Sequence, residues 1–317
     1  MKYGVWLAGA LLGGLLALAW FGGALNWNRE APYELVQSWG GPGTSDGRFN
    51  EPTGIAVGAD EVFVSDARNR RIQVFDKQGR FLRAFNEGLE RPMNLEWHDG
   101  RLYVADFFAD QILVYQADGK LLHVIAPPDG LHNPGGVAVR PDGALLVADT
   151  YAHRVLLLGP DGKVLKAWGT PGETGSASGE FNYPADVTLA PDGGFYVADG
   201  YNDRVQQFDA QGNFVRKWGG PFGVNLHGPF KGWFATATSI AYGPNDKVFV
   251  ADFYHDRVQK FCDHGGYITS FGAAAPDSAT HTAIAVDVDS DGGVWVANYA
   301  RHRVEQWRPS GAARGRS

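Results

Sequence analysis

The 317-residue chain has one cysteine, Cys262, and two methionines. A single cysteine excludes an internal disulfide. Cys262 follows the strand-like run Val258-Gln259-Lys260-Phe261, the position of a half-buried, inert thiol. Basic runs are equally scarce. The longest is Arg68-Asn69-Arg70-Arg71, and the net charge is −7, so the electrostatic footprint of a nucleic-acid binder is missing and no such partner is expected. There is no phosphate-cradling glycine loop, no G-x-S-x-G elbow, and no HxxxH or HExxH pair among the nine histidines. No cofactor is expected on these grounds.

One long hydrophobic run is present. From Tyr3 to Asn28 no residue is charged, and the 21 residues from Val5 to Leu25 are almost wholly apolar. At about 1.5 Å per residue that length spans a bilayer. Lys2 precedes the run, and Arg29 and Glu30 follow it, which places the rest of the chain on the exported, periplasmic or extracellular side. Residues 1–30 read as a signal-anchor transmembrane helix or, through Ala17-Leu18-Ala19, as a cleaved signal peptide. Gly9, Gly13 and Ala17 fall on one helical face, a stripe that permits close packing against a membrane partner.

The remainder is rich in turns and aromatics, with 43 glycines and 10 tryptophans. A short phrase recurs in it: Val64-Ser65-Asp66, Val104-Ala105-Asp106, Val147-Ala148-Asp149, Val197-Ala198-Asp199, Val250-Ala251-Asp252 and Val296-Ala297-Asn298. The copies are spaced by 40, 43, 50, 53 and 46 residues, the signature of a repeat array. Each copy reads as four short strands. In the fourth these are Asp186–Ala190, Phe195–Ala198, Arg204–Phe208 and Asn213–Trp218, separated by Gly, Pro, Asp and Asn turns. Four antiparallel strands form one propeller blade. The sixth copy stops after its third strand, and Tyr33–Gly40 resembles a fourth strand without a blade. The expected fold is an all-β, six-bladed β-propeller over residues 31–311, closed by its N-terminal strand and followed by a short tail, 312–317.

An arginine stands five residues after the acid in most copies, giving the pairs Asp66/Arg71, Asp149/Arg154, Asp199/Arg204 and Asp252/Arg257. Recurrence in so many blades assigns these pairs to the scaffold.

The phrases Pro184-Ala185-Asp186-Val187, Val197-Ala198-Asp199-Gly200-Tyr201-Asn202-Asp203-Arg204-Val205 and Phe214-Val215-Arg216-Lys217-Trp218-Gly219 resemble NHL repeats. Among NHL propellers with chemistry, the chain looks most like the peptidyl-α-hydroxyglycine amidating lyases, and the resemblance implies Tyr201 as their catalytic tyrosine. It also implies zinc-binding histidines directly after the proline that opens a blade. Here those positions hold Thr53, Met93, Gly135, Ala185, Thr238 and Ile284, and none is a histidine. The lyases' calcium-binding aspartate maps onto Asp186, which alone is too little for a cation that takes six to eight oxygens.

What differs between copies is the face formed by the turns between second and third strands. It gathers Phe108, Tyr151, His153, Tyr201, Tyr254 and His255, with Asp186 near the axis. A long loop at 219–236 adds Phe222, Phe230, Trp233 and Phe234. Long loops with exposed apolar groups mark interaction sites. The leading expectation is therefore a membrane-anchored, exported propeller that binds a membrane-associated protein through Phe222, Phe230, Trp233, Phe234, Phe108, Tyr151 and Tyr254, as an accessory subunit. The alternatives are an enzyme built on Tyr201, Asp186, His153 and His255, or an extracellular ligand sensor.

Overall fold

The computed structural model describes residues 30–223, 227–272 and 283–311. The apolar segment 5–25 with Gly9, Gly13 and Ala17, and the tail 312–317, lie outside the described residues. Among the described residues no helix is long and apolar enough to cross a membrane.

Six four-stranded antiparallel sheets are arranged as blades, each made of strands consecutive in sequence except the last. Blade 6 takes β22 (Ala283–Val288), β23 (Val294–Asn298) and β24 (Arg303–Pro309) from the end of the chain and β1 (Tyr33–Gly40) from its beginning. The β1–β24 register runs from Tyr33 opposite Pro309 to Gly40 opposite Arg303. The two ends of the propeller are thus joined by backbone hydrogen bonds within one sheet, which gives blade 6 its fourth strand.

The second strand of every blade is buried on both faces, which is why it reads as continuous Val, Phe, Leu and Ala rather than as an alternation. The outer strands are instead mostly half-buried or exposed, as in Phe81–Phe85 and Phe214–Trp218. Apolar side chains fill the gaps between neighbouring blades, so the core is six wedges. In the closing wedge Phe49, Ile55, Val62 and Phe75 of blade 1 meet Ala285, Trp295 and Val304 of blade 6. Phe49, Leu89, Leu131, Phe181 and Phe234 occupy one equivalent position, three residues before the first strand, and are all buried. Phe234 is fully enclosed and packs against Phe261, so its place on an exposed partner surface is corrected: it is the repeat's own wedge residue.

A charge is buried at one equivalent place in each blade. The five signature aspartates have no exposed surface. In blade 4, Asp199 accepts from Arg204 Nε (2.7 Å), Gln206 Nε2 (3.1 Å), Asn202 Nδ2 (2.9 Å) and the backbone N–H of Asn182 (2.8 Å). Arg204 then caps loop carbonyls of Ala177 and Glu180. The same Arg Nε to Asp Oδ2 bond joins Arg71 to Asp66, Arg154 to Asp149 and Arg257 to Asp252, at 2.6–2.7 Å. Each staple fixes the loop entering a blade to that blade's second and third strands. Blade 2 has Gln111 in place of the arginine, and there Asp106 is satisfied by the N–H groups of Glu90, Arg91 and Ala109.

Blade 6 carries the staple with its polarity exchanged. Where blades 1, 4 and 5 pair a carboxylate with a glutamine seven residues on, Asn298 donates to Glu305 at 2.8 Å, and Arg303 Nε donates to the same oxygen, also at 2.8 Å. The acid is moved, not lost. Asn298→Asp should place two carboxylates in this buried site and cost about 2–4 kcal/mol in a denaturant titration. Adding Glu305→Gln should restore stability to within about 1 kcal/mol, and additive losses in the double variant would show that the two sites are not exchanged partners.

Candidate functional site

The second-to-third-strand connection is a single 3-10 turn in blades 1, 3, 4 and 5, such as Gly200–Asn202 in blade 4, and a plain turn in blades 2 and 6; in all six it is followed by one residue in the left-handed region. Those residues are Arg70, Asp110, His153, Asp203, Asp256 and His302, with φ of 51–54°. Four of them tie neighbouring blades. Asp110 accepts from Asn133 N (2.7 Å), His153 Nδ1 from Tyr183 N (3.1 Å), Asp203 from Thr236 N (2.7 Å), and His302 Nδ1 from Glu51 N (3.2 Å). His153 is buried against the edge of the Tyr183 ring, and that burial lowers its pKa, consistent with a neutral ring accepting an N–H.

His255 has an equally structural partner. It sits 2.9–3.1 Å from both oxygens of Asp252, in the place from which Asn69 and Asn202 donate to their aspartates. The candidate catalytic pair His153 and His255 is therefore committed to blade packing. Tyr201 stands half-exposed on the rim, and Asp186 lies buried near the axis. Among the described residues, no hydrogen bond or ring contact joins any two of these four. Sequence position could have shown this, since His153 aligns with Asp110 and Asp203, and His255 with two asparagines.

The second residue of the turn is aromatic in four consecutive blades: Phe108, Tyr151, Tyr201 and Tyr254, each 50–57% exposed. Their rings form part of a connected band. Phe108 meets Phe107, Phe107 meets Tyr151, Tyr151 meets Tyr183 and Tyr183 meets Tyr201, with centroids 4.8–5.6 Å apart. A second run joins Tyr254 through Phe253 to Tyr299. Blades 6 and 1 interrupt the band with Ala300 and Arg68 and hold a charged arc instead. There Glu51 binds Arg68 (2.5 Å) and Arg91 (2.9 Å). Burial opposes the charge on Glu51, but hydrogen bonds from Arg68, Arg91 and Tyr299 hold its pKa below the usual value.

The 219–236 loop is pinned rather than draped over the axis. Gly232 N donates to Gln259, Gln259 donates to Trp233 O, and Arg257 Nη2 donates to Phe230 O and Trp233 O. Phe230 is exposed and meets half-buried Trp233 edge-to-face, with centroids 4.9 Å apart. Only the backbone of Phe222 is described, within the turn Pro221–Gly223. Residues 224–226 lie outside the described residues.

The axis is closed at the level of Asp186. Its carboxylate accepts from Ser239 Oγ (2.8 Å), Ile240 N (3.0 Å) and Val187 N (2.9 Å), and leans over Gly136, where an added Cβ would lie 2.0 Å from Oδ1. Asn94 Nδ2 reaches across the ring to Thr238 O at 3.5 Å. Three acceptor positions of the carboxylate are thus taken by protein donors.

Beyond this layer lies a cavity of about 440 Å³. Its walls are the later halves of the first strands and the hairpins after them, including Arg140, Pro141, Pro191 and Gly193, so it opens on the face opposite the aromatic band. Glu96, Asp186 and Asp287 from blades 2, 4 and 6 line it. Burial pushes Asp186 and Asp287 up to about 7 against their backbone N–H bonds, and raises Glu96 well above its usual value, with both neighbouring aspartates adding to the effect. No local motif marks this trio, because it assembles from three distant blades.

The family profile for the NHL repeat matches residues 49–75, 131–156 and 181–208, and the chain carries NHL repeats. A 54-residue stretch is 46% identical to the Protein brain tumor of Drosophila melanogaster, and a 40-residue stretch is 55% identical to the B-box type zinc finger protein ncl-1 of Caenorhabditis elegans. These cover 17% and 12% of this chain, which spans about 5% of the length of either relative. A streptogramin B lyase superposes with a TM-score of 0.61 at 15% identity, covering 87% of this chain and 97% of that one. At that identity the likeness is one of fold.

Two outcomes follow. His153→Ala should cost about 1–3 kcal/mol by orphaning the Tyr183 N–H and placing alanine at positive φ, and His153→Asp, the residue type of blades 2 and 4, should recover most of it. Equal losses in chemical denaturation would deny the inter-blade role. Second, the folded chain retains protons on Asp186 and Asp287 that the unfolded chain, with carboxyls near 3.8, has released. Their contribution to stability therefore declines as pH rises from about 4 to about 7 and levels off above. Asp287→Asn should flatten that part of a Tm-against-pH curve, and an unchanged slope would assign it elsewhere.

Proposed function

We propose that this NHL-repeat propeller is a protein-interaction module, held on the exported side of a membrane by its N-terminal apolar segment, and serving as an accessory subunit of a membrane complex. NHL propellers often mediate protein interactions. The observation that carries the reading here is the row of half-exposed aromatics on four consecutive blades, Phe108, Tyr151, Tyr201 and Tyr254. Tyrosine and tryptophan supply contact area at low entropic cost, and such residues concentrate binding energy at interfaces. The rigid turns beneath them, each fixed by a buried staple, keep that cost low. The charged arc of Arg68, Glu51 and Arg91 sets orientation beside the aromatic row. Phe230 extends the patch towards blade 5. The anchor and the exported location rest on the length and flanking charges of residues 5–25.

Lyase chemistry is not carried over from the fold likeness, because His153, His255, Asp186 and Tyr201 serve separate places and partners. The acidic cavity favours a second reading, a sensor for a small cationic ligand. Such a ligand would ionise the cavity carboxyls and flatten the same pH slope that Asp287→Asn reduces.

A photo-crosslinking residue at position 151, 201 or 254, in cells, should yield one discrete high-mass adduct. The same group at Leu165 on the outer strand of blade 3, 61% exposed, should yield none. Adducts of equal strength at all four positions, or at none, would remove the interaction reading.

A further inference from the structure

The hairpins joining third and fourth strands follow one rule in the blades that keep the acid. Asp76 Oδ1 accepts the N–H groups of Gln78 and Arg80, and Asp209 Oδ1 those of Gln211 and Asn213, at 2.8–3.0 Å. In both, the second carboxylate oxygen takes the side chain four residues on, Arg80 or Asn213. Blade 5 departs from this in its side chains. Cys262 replaces the aspartate, Asp263 and His264 follow it, and the position four residues on is Gly266, with no side chain. The thiol keeps only the backbone bond, accepting Gly266 N–H at 3.3 Å. Cys262 Sγ, an Asp263 carboxylate oxygen and a His264 ring nitrogen lie within 4.8 Å of one another. His264 Nδ1 faces the Asp263 carboxylate directly.

The turn is held from both sides. Asp263 N donates to Asp246 O (3.1 Å), Tyr196 OH to Asp263 O (3.2 Å) and Arg216 Nη1 to His264 O (3.4 Å). Gly265, at φ 80°, lies against the Trp218 ring, where a Cβ would come within 2.7 Å. The backbone is therefore fixed while the ligand atoms stay reachable, since the His264 side chain is 66% exposed. A thiolate, an imidazole and a carboxylate suit a borderline-soft divalent ion with tetrahedral preference, and three protein ligands leave a fourth position to solvent.

We propose that Cys262, Asp263 and His264 form a divalent transition-metal site, of the Zn²⁺ class, on the hairpin face opposite the aromatic row. Binding requires the thiolate and so releases a proton. Because the chain has one cysteine, thiolate-to-metal charge transfer reports on this site alone. Titrating the purified full chain with Co²⁺ should produce a near-ultraviolet charge-transfer band saturating at one equivalent, and Zn²⁺ should displace it. Cys262→Asp, which restores the hairpin chemistry of blades 1 and 4, should keep the Tm and lose the band entirely. His264→Ala should weaken Co²⁺ binding at least tenfold. Zn²⁺ should also slow the reaction of the thiol with a disulfide reagent, reversibly on chelation, and His264→Ala should abolish that protection. Absence of the band at millimolar Co²⁺, or affinity unchanged in His264→Ala, would overturn the proposal.

Discussion

A buried carboxylate, ringed by arginine, glutamine or asparagine side chains and a backbone N–H, is the interaction on which the rest of the propeller depends. Taking that charge out of water is costly, and the arrangement is tolerable only because every oxygen is bonded. Asp199 shows both sides of the balance: burial raises its pKa, while Arg204, Asn182 N and Asn202 pull the other way. The return is geometric. Each staple seats the loop that delivers a blade's first strand and orients the 3-10 turn whose second residue faces solvent. Both the axis and the exposed aromatic row take their positions from it.

The fold was legible in the chain because its signals are local and repeated. Strand-length apolar runs, Asp-Gly turns and the spare strand at Tyr33–Gly40 each point to one architecture, and the β1–β24 pairing agrees. The site was less legible because a side chain's task depends on what it meets. His153 and His255 have the chemistry of catalysts, yet each replaces an Asp or Asn of another blade in the same hydrogen bond. Phe234 sits in a loop of unusual length and still occupies the wedge position of Phe49 and Phe181. Asn298 reads as a lost acid until Glu305, seven residues away, is found to carry it. Glu96, Asp186 and Asp287 share no motif, since alternate blades bring them together.

The two faces divide labour in a way repetition makes possible. Six near-identical turns provide a level platform, and substitution at one turn position, from Arg68 through Phe108 and the tyrosines to Ala300, decorates it without disturbing the staples beneath. The opposite face has looser demands, because its third-to-fourth-strand hairpins share only a glycine at positive φ as their fourth residue: Gly79, Gly119, Gly162, Gly212 and Gly265. Variation there is free to install chemistry such as Cys262-Asp263-His264.

The seam in blade 6 sets the order in which the molecule can be completed. Tyr33 pairs with Pro309, so the first strand of the ring waits for the last. Until β24 is in place, the outer edge of blade 6 and the wedge beneath Trp39 stay open, and the five preceding blades form an arc with two raw ends. Non-local closure of this kind is the slow event in β-rich folding. The seam is thus the clasp of the molecule, the sheet in which the first and last strands of the propeller are bonded to each other.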